Sequence, residues 1–253
     1  MELPNKKIMS TRTSPRSMVI FSPPKVGKST CIAGLEDCLL LDLEQGAEFV
    51  DALKIDVIGE ARKANELPII TLKKIINKIK EENKKKGDYL YKRIAIDTVS
   101  GLEEIVKELA AKLYRDTPAG RNWVGDDIFE VSMGAGYGYH RKAFLMVKEE
   151  LESICETLIL MGHINDKSIK LNGEEINERH LKLVGQLSGI VCSQVDAVGY
   201  LYRKDNKTLL NFKPSESLIA EGRVKHLSNK EFVIIESDDN NELTIDWSKV
   251  FIN

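Results

Sequence analysis

A short apolar run, Met18-Val19-Ile20-Phe21, leads into Ser22-Pro23-Pro24-Lys25-Val26-Gly27-Lys28-Ser29-Thr30, and the residues after Thr30 are able to start a helix. Strand, loop with Gly-Lys-Ser, then helix is the arrangement that cradles polyphosphate. A polyphosphate is densely anionic, so its site needs inward-pointing backbone N–H groups, a helix N-terminus behind them and a cation. Val26, Gly27, Lys28, Ser29 and Thr30 offer the N–H groups, Lys28 the charge for the β- and γ-phosphates, and Ser29 a hydroxyl for Mg²⁺. Ser22 stands where the first glycine of such a loop is expected, and Pro23 and Pro24 withdraw two donors while stiffening the approach to Lys25. A Gly-Lys-Ser tripeptide also occurs in ordinary turns. The strand before it, and the acidic strand ends described next, argue for the phosphate-binding reading.

A chain of 253 residues, 42% of them hydrophobic, suffices for one large α/β domain with a sizeable core. The net charge of −2 gives no global attraction to nucleic acid or acidic membranes, so any such binding must come from a local patch. Cys31, Cys38, Cys155 and Cys192 form no Cys-x-x-Cys pair and are expected as reduced, buried thiols. The polar, basic beginning carries no apolar leader core, and no later segment is long enough to span a bilayer. A cytoplasmic location without membrane contact is the expectation.

Residues 1–16 read as an N-terminal arm with at most a short strand near Ile8-Met9. Cys38-Leu39-Leu40-Leu41-Asp42-Leu43-Glu44 is a continuous apolar run ending in two carboxylates, as in a strand buried on both faces of a parallel sheet. Asp42 and Glu44 share a face, so at least one reaches the ligand crevice as a base for an attacking water, unless both merely cap a solvated edge. The spacing of Leu72, Ile75, Ile76 and Ile79 predicts an amphipathic surface helix over 69–83. Arg93-Ile94-Ala95-Ile96-Asp97 predicts a second buried strand, with Asp97 as the Mg²⁺ carboxylate beside Ser29 and with Thr98 and Ser100 as added hydrogen-bonding groups.

A helix is expected over 101–114. The stretch 116–140 mixes six glycines and prolines with Arg121, Trp123, Phe129, Tyr137, Tyr139 and His140, and reads equally as a nucleic-acid-facing loop or as a surface loop pinned by buried aromatics. A helix over 143–155 precedes a third buried strand, Thr157 to His163. His163 at its end is placed to sense a γ-phosphate or to serve as an ordinary hydrogen-bond partner. Lys167, Lys170, Arg179 and Lys182 surround a predicted hairpin with its turn at Asn172-Gly173, the best local nucleic-acid contact. Further strands over 196–202 and 208–212 form an antiparallel edge. Arg223 and Lys225 flank Val224, and in an oligomer such a pair reaches a neighbour's nucleotide, while in a monomer it is a surface pair or a cis contact. The tail, 228–253, reads as an edge strand and a segment docked by Trp247 and Phe251.

This order of parts resembles the RecA-like P-loop ATPase core, and more closely the single-domain RecA-like, AAA-type nucleotide-binding proteins encoded by bacteriophages. The resemblance spans Ser17 to about Lys225. It implies a three-layer α/β domain over 17–227 with a mostly parallel central sheet and antiparallel edge strands. It further implies ATP and Mg²⁺ as ligands, Glu44 as the water-activating base, Asp97 on the metal, His163 as γ-phosphate sensor, and Arg223 and Lys225 acting in trans across a homo-oligomer with nucleotide at the subunit interface. The loop from Arg121 to His140 and the arm from Lys167 to Lys182 would face single-stranded DNA, in recombination, annealing or replication. A small-molecule kinase and a nucleotide-gated adaptor with little turnover are the rival readings.

Overall fold

The computed structural model describes residues 5–7, 12–171, 174–215, 218–238, 240 and 242–252, and leaves the side chains of 167–171 and 174–177 undescribed. The strand expected near Ile8-Met9, the turn Asn172-Gly173 and Asp239 of the acidic turn expected over Ser237-Asp238-Asp239 lie outside the described residues. In chain order the elements are β1 (Ser17–Ser22), α1 (Lys28–Ala33), β2 (Cys38–Asp42), β3 (Lys54–Asp56), α2 (Val57–Ala64), α3 (Pro68–Lys86) and β4 (Arg93–Asp97). There follow α4 (Val99–Ile105), α5 (Lys107–Arg115), α6 (Ala135–Glu152), β5 (Thr157–Leu171), β6 (Glu174–Leu181) and α7 (Leu187–Gln194). The chain ends with β7 (Ala197–Lys204), β8 (Lys207–Asn211), β9 (Glu221–Gly222), β10 (Glu231–Ser237) and β11 (Leu243–Ile245).

The apolar runs are buried on both sides, and their alternate residues divide between two cores. Val19, Phe21, Leu39, Leu41, Ile94, Ile96, Leu158 and Leu160 pack against α2 to α7 on one face. Met18, Ile20, Cys38, Leu40, Ala95, Ile159 and Met161 meet Cys31 and Ile32 of α1 and the C-terminal Trp247, Val250 and Phe251 on the other. Strands buried on both faces need no polar side, so they read as unbroken hydrophobic stretches. The strand order is β3-β2-β4-β5-β1-β7-β8-β10-β11, with β6 added to β5 and β9 to β7. From β3 to β7 all neighbours are parallel; β8, β10 and β11 join antiparallel. This is the α/β layering with antiparallel edge strands that the sequence led us to expect.

Parallel pairing brings the C-terminal ends of β1, β2, β4 and β5 to one edge. Asp42 pairs with Asp97, Asp97 with Met161, and Ser22 with His163. β5 lies between the phosphate-loop strand and the Asp97 strand, then runs on past the sheet as one half of an antiparallel arm with β6.

Two expectations need correction, and one stretch without a legible pattern gains a structure. The helix over 101–114 is two helices, α4 and α5, which meet at Val106 (φ −79°, ψ −8°). The irregular stretch stops at Gly134 rather than His140, since α6 begins at Ala135 and takes in Gly136 to His140. The stretch near Ile55 to Ile58, whose structure the sequence left unread, contains the three-residue β3 and then α2, whose N-cap Asp56 accepts from the Gly59 N–H at 2.7 Å.

The tail is part of this architecture. Trp247 is buried, and its indole N–H donates to the Cys31 carbonyl at 2.7 Å, tying the C-terminus to the helix that follows the phosphate loop. Arg93 stacks 4.5 Å above the Phe251 ring. Trp247→Ala should destabilise the fold by about 3–5 kcal/mol, and Trp247→Phe, which keeps most of the packing and loses the hydrogen bond, by about 1–2 kcal/mol. Denaturant unfolding checks both, and a cost under about 1 kcal/mol for the alanine variant would show that the tail is only loosely attached.

Candidate functional site

The loop between β1 and α1 turns through two left-handed residues, Lys25 (φ 62°) and Gly27 (φ 99°), the latter capping α1. The first N–H groups of a helix have no partner within it and carry its positive end. Lys28, the first residue of α1, is buried, and its Nζ donates to the Ser22 hydroxyl at 3.1 Å and weakly to the Pro23 carbonyl at 3.5 Å. Ser22 in turn donates to the Pro23 carbonyl at 2.8 Å. The departure from the usual glycine thus places a hydroxyl under the lysine ammonium.

Ser29 donates to the carboxylate of Asp97, which is 5% exposed. Glu44 lies one residue past Leu43, beyond the end of β2, and its two oxygens have separate partners: Oε1 accepts from the Thr98 hydroxyl and Oε2 lies 3.3 Å from His163 Nε2. Asp42 takes no part in this cluster's open side. Its carboxylate accepts from the N–H groups of Glu44, Gly46 and Ala47 at 3.0, 3.2 and 2.9 Å, holding the turn after β2. Of the two strand-end carboxylates, Glu44 alone borders the phosphate loop's partners in this way.

The electrostatics of Lys28 and Asp97 run in opposite senses. Burial pushes the Lys28 ammonium below its ordinary range, with Asp97, Glu44 and Cys31 resisting. Burial likewise pushes the Asp97 carboxyl up; the Ser29 hydrogen bond and Lys28 pull it back, while Asp42 and Glu44 add to the rise. Each group would keep its charge more readily with a ligand of opposite sign, a phosphate for Lys28 and a cation for Asp97. An all-oxygen pair, hydroxyl plus carboxylate beside a phosphate-binding loop, fits Mg²⁺ by donor type.

Other residues proposed from sequence fall elsewhere. His140 is 2% exposed, its Nε2 2.9 Å from the Glu103 carbonyl, and burial pushes its pKa down. Tyr139 packs against Tyr114 at 5.2 Å. His140 is turned into the core, while Tyr139 is half-buried. Tyr137 remains 46% exposed and Arg121 is exposed. On the arm Arg179 is exposed, 3.8 Å from Asp166, and Lys182 is exposed, with its backbone N–H donating to the His163 carbonyl at 2.9 Å. The side chains of Lys167 and Lys170 lie outside the described residues. Arg223 follows β9, which pairs with β7 at Ala197, the strand-start end of the sheet, and its guanidinium donates to the Ser193 carbonyl in the last turn of α7. Ala197 pairs with Met18 at the start of β1, whereas the phosphate loop follows the end of that strand, so Arg223 lies toward the opposite end of β1 from the loop. Lys225 is exposed beyond it.

The four cysteines are free; three are buried and Cys192 is half-buried, and burial lifts the thiols of Cys38, Cys155 and Cys192 to about 12. Among the described residues no helix is long and apolar enough to cross a membrane.

A family model described as an AAA domain matches residues 14–224. No curated protein matches the chain. Among solved structures, the chain is similar to a KaiC-like protein from the hyperthermophilic archaeon Pyrococcus horikoshii, with 15% identity, 91% of this chain and 89% of that chain covered, and a TM-score of 0.41. It is also similar to the RadB recombinase, with 10% identity, 90% of each chain covered and a TM-score of 0.38.

The raised pKa of Asp97 has a testable sign. The folded protein holds that proton to higher pH than the unfolded chain, whose aspartate titrates near ~3.9. Its stabilising contribution is thus complete below that value and lost as pH rises through the folded value. In metal-free buffer, the stability of the parent relative to Asp97→Asn should fall as pH rises from about 4 and then level off. Thermal unfolding of both proteins across the range checks this, and a difference that grows with pH would contradict it.

Proposed function

The chain belongs to the AAA domain family, and on that premise we propose that it binds ATP·Mg²⁺, hydrolyses it by in-line attack of water, and couples the cycle to single-stranded DNA. The observation that carries this reading is the meeting of Lys28, Ser29, Asp97, Glu44 and His163 at one sheet edge. Lys28 and the N–H groups opening α1 hold the phosphates and offset their charge. Ser29 and Asp97 would hold Mg²⁺, which when bound neutralises charge on the phosphate oxygens. Glu44 orients a water and takes its proton as the water oxygen bonds to the γ-phosphorus and the bridging oxygen leaves with the diphosphate.

His163 lies where nucleotide and arm meet. It is bonded through its ring side to Glu44 and through its carbonyl to Lys182, and β5 continues from it into the arm. A shift of His163 on γ-phosphate loss would reach the arm through that one strand. We assign the exposed cations Arg121, Arg179 and Lys182 to DNA phosphates, with Lys167 and Lys170 as further arm cations and Tyr137 as a stacking surface. Arg223 and Lys225, placed away from their own phosphate loop, act on a neighbour's nucleotide in a homo-oligomer under this reading. A role in recombination, annealing or replication of the bacteriophage kind accords with it.

Glu44→Gln should lower kcat by about 10²-fold or more while sparing nucleotide affinity. Lys28→Ala should weaken ATP binding by roughly 10- to 100-fold. Steady-state hydrolysis with and without single-stranded DNA tests the coupling: stimulation supports it, dependence on a small acceptor indicates a kinase, and binding with negligible turnover indicates an adaptor. Mixing Arg223→Ala with Lys28→Ala protein should restore part of the activity, and mixtures no more active than their components would remove the trans role.

A further inference from the structure

Resting on the assignment of Glu44 as the base, we propose that Thr98 is the residue that positions it. Glu44 lies past the last residue of β2, so the sheet's hydrogen bonds leave its side chain free to turn. Thr98 removes that freedom. It is 1% exposed at the N-cap of α4, where its hydroxyl oxygen accepts from the Gly101 N–H at 3.4 Å. A hydroxyl has a single proton, and with its oxygen turned toward Gly101 that proton is directed at Glu44 Oε1.

The backbone brings these groups together independently of that bond. The Leu43 N–H donates to the Asp97 carbonyl at 2.8 Å, joining the two strand ends. Gly101 lets the first turn of α4 close over residues 43 and 44: a methyl group there would lie 2.7 Å from Leu43 Cβ and 3.3 Å from Glu44 Cγ. The outcome is a carboxylate with two unlike oxygens. Oε1 is anchored on the buried Thr98 side, while Oε2 faces His163 where both side chains are about one third exposed. Oε1 is turned to the buried side, so Oε2, on the more exposed side, is the oxygen that receives the proton of the attacking water. Thr98 is buried, and acts only through Glu44.

The test is the split between turnover and binding across Thr98→Ala, Thr98→Ser and Glu44→Gln, singly and in the double variant Glu44→Gln with Thr98→Ala. Thr98→Ala should lower kcat by about 10- to 100-fold, as expected for losing a hydrogen bond to a charged group, with ATP affinity little changed and the unfolding midpoint lowered by loss of the α4 N-cap. Thr98→Ser, which keeps the hydroxyl, should stay within about threefold of the parent, and in the Glu44→Gln background Thr98→Ala should cost nothing further. Full turnover in Thr98→Ala, failure of serine to rescue, or an undiminished loss in the double variant would each overturn the proposal. If Thr98→Ala does not fold, Thr98→Val, which keeps the side-chain shape and removes only the hydroxyl, replaces it; lost turnover with ATP affinity retained then supports the inference, and retained turnover overturns it. Parent-like hydrolysis by Glu44→Gln would instead sink the assignment of the base itself, so the two failures are distinguishable.

Discussion

The site depends on a pair of opposite charges held out of water at one end of the sheet. Lys28 and Asp97 are each buried, each shifted by burial toward its neutral form, and each only partly rescued by the other. Removing water from both groups is unfavourable for the free protein and useful for a ligand that carries both signs. A phosphate with its counter-cation returns to each group the partner that burial took away. The same low-dielectric surroundings then make every contact to the ligand stronger than it would be at an exposed surface.

That pairing is imposed by strand order. With β5 between β1 and β4, the phosphate loop and Asp97 border the end of a third strand, whose own last sheet residue is His163. β2 on the far side of β4 brings Glu44 into the same group. The arm is thus an extension of the strand that lies at the centre of the site, and it leaves the sheet just after His163. The buried tail braces α1 from the opposite face through Trp247 and Cys31, so the loop that meets the ligand is fixed on a helix packed from below.

The parts legible from sequence were those in which chemistry and pattern coincide. β1, β2, β4 and the first part of β5 are unbroken apolar runs because both faces are buried, and each ends in a polar residue because the sheet edge is where solvent and ligand begin. The failures have equally specific causes. Val106 is apolar and correctly spaced, so the break between α4 and α5 leaves no mark in the pattern. The glycines at 136 and 138 looked like a loop, yet they lie in the first turns of α6, where a methyl on Gly136 would fall 1.7 Å from the Ile128 carbonyl. His140 carries the chemistry of a contact residue and is spent on a buried carbonyl. The spacing of Arg223 and Lys225 says nothing about which end of the sheet they occupy, and antiparallel pairing of β9 with the start of β7 decides it. Thr98 was readable as a hydrogen-bonding side chain, but its link to Glu44, more than fifty residues earlier, exists only once β2 and β4 are neighbours.

Calorimetric titration of the folded protein with ATP, in magnesium and again in excess chelator, tests the charge-pair account most directly. Saturable binding with magnesium that weakens strongly in chelator is the result the paired burial of Lys28 and Asp97 requires. Absence of binding heat in magnesium, confirmed at a second temperature, or affinity indifferent to the metal would contradict it.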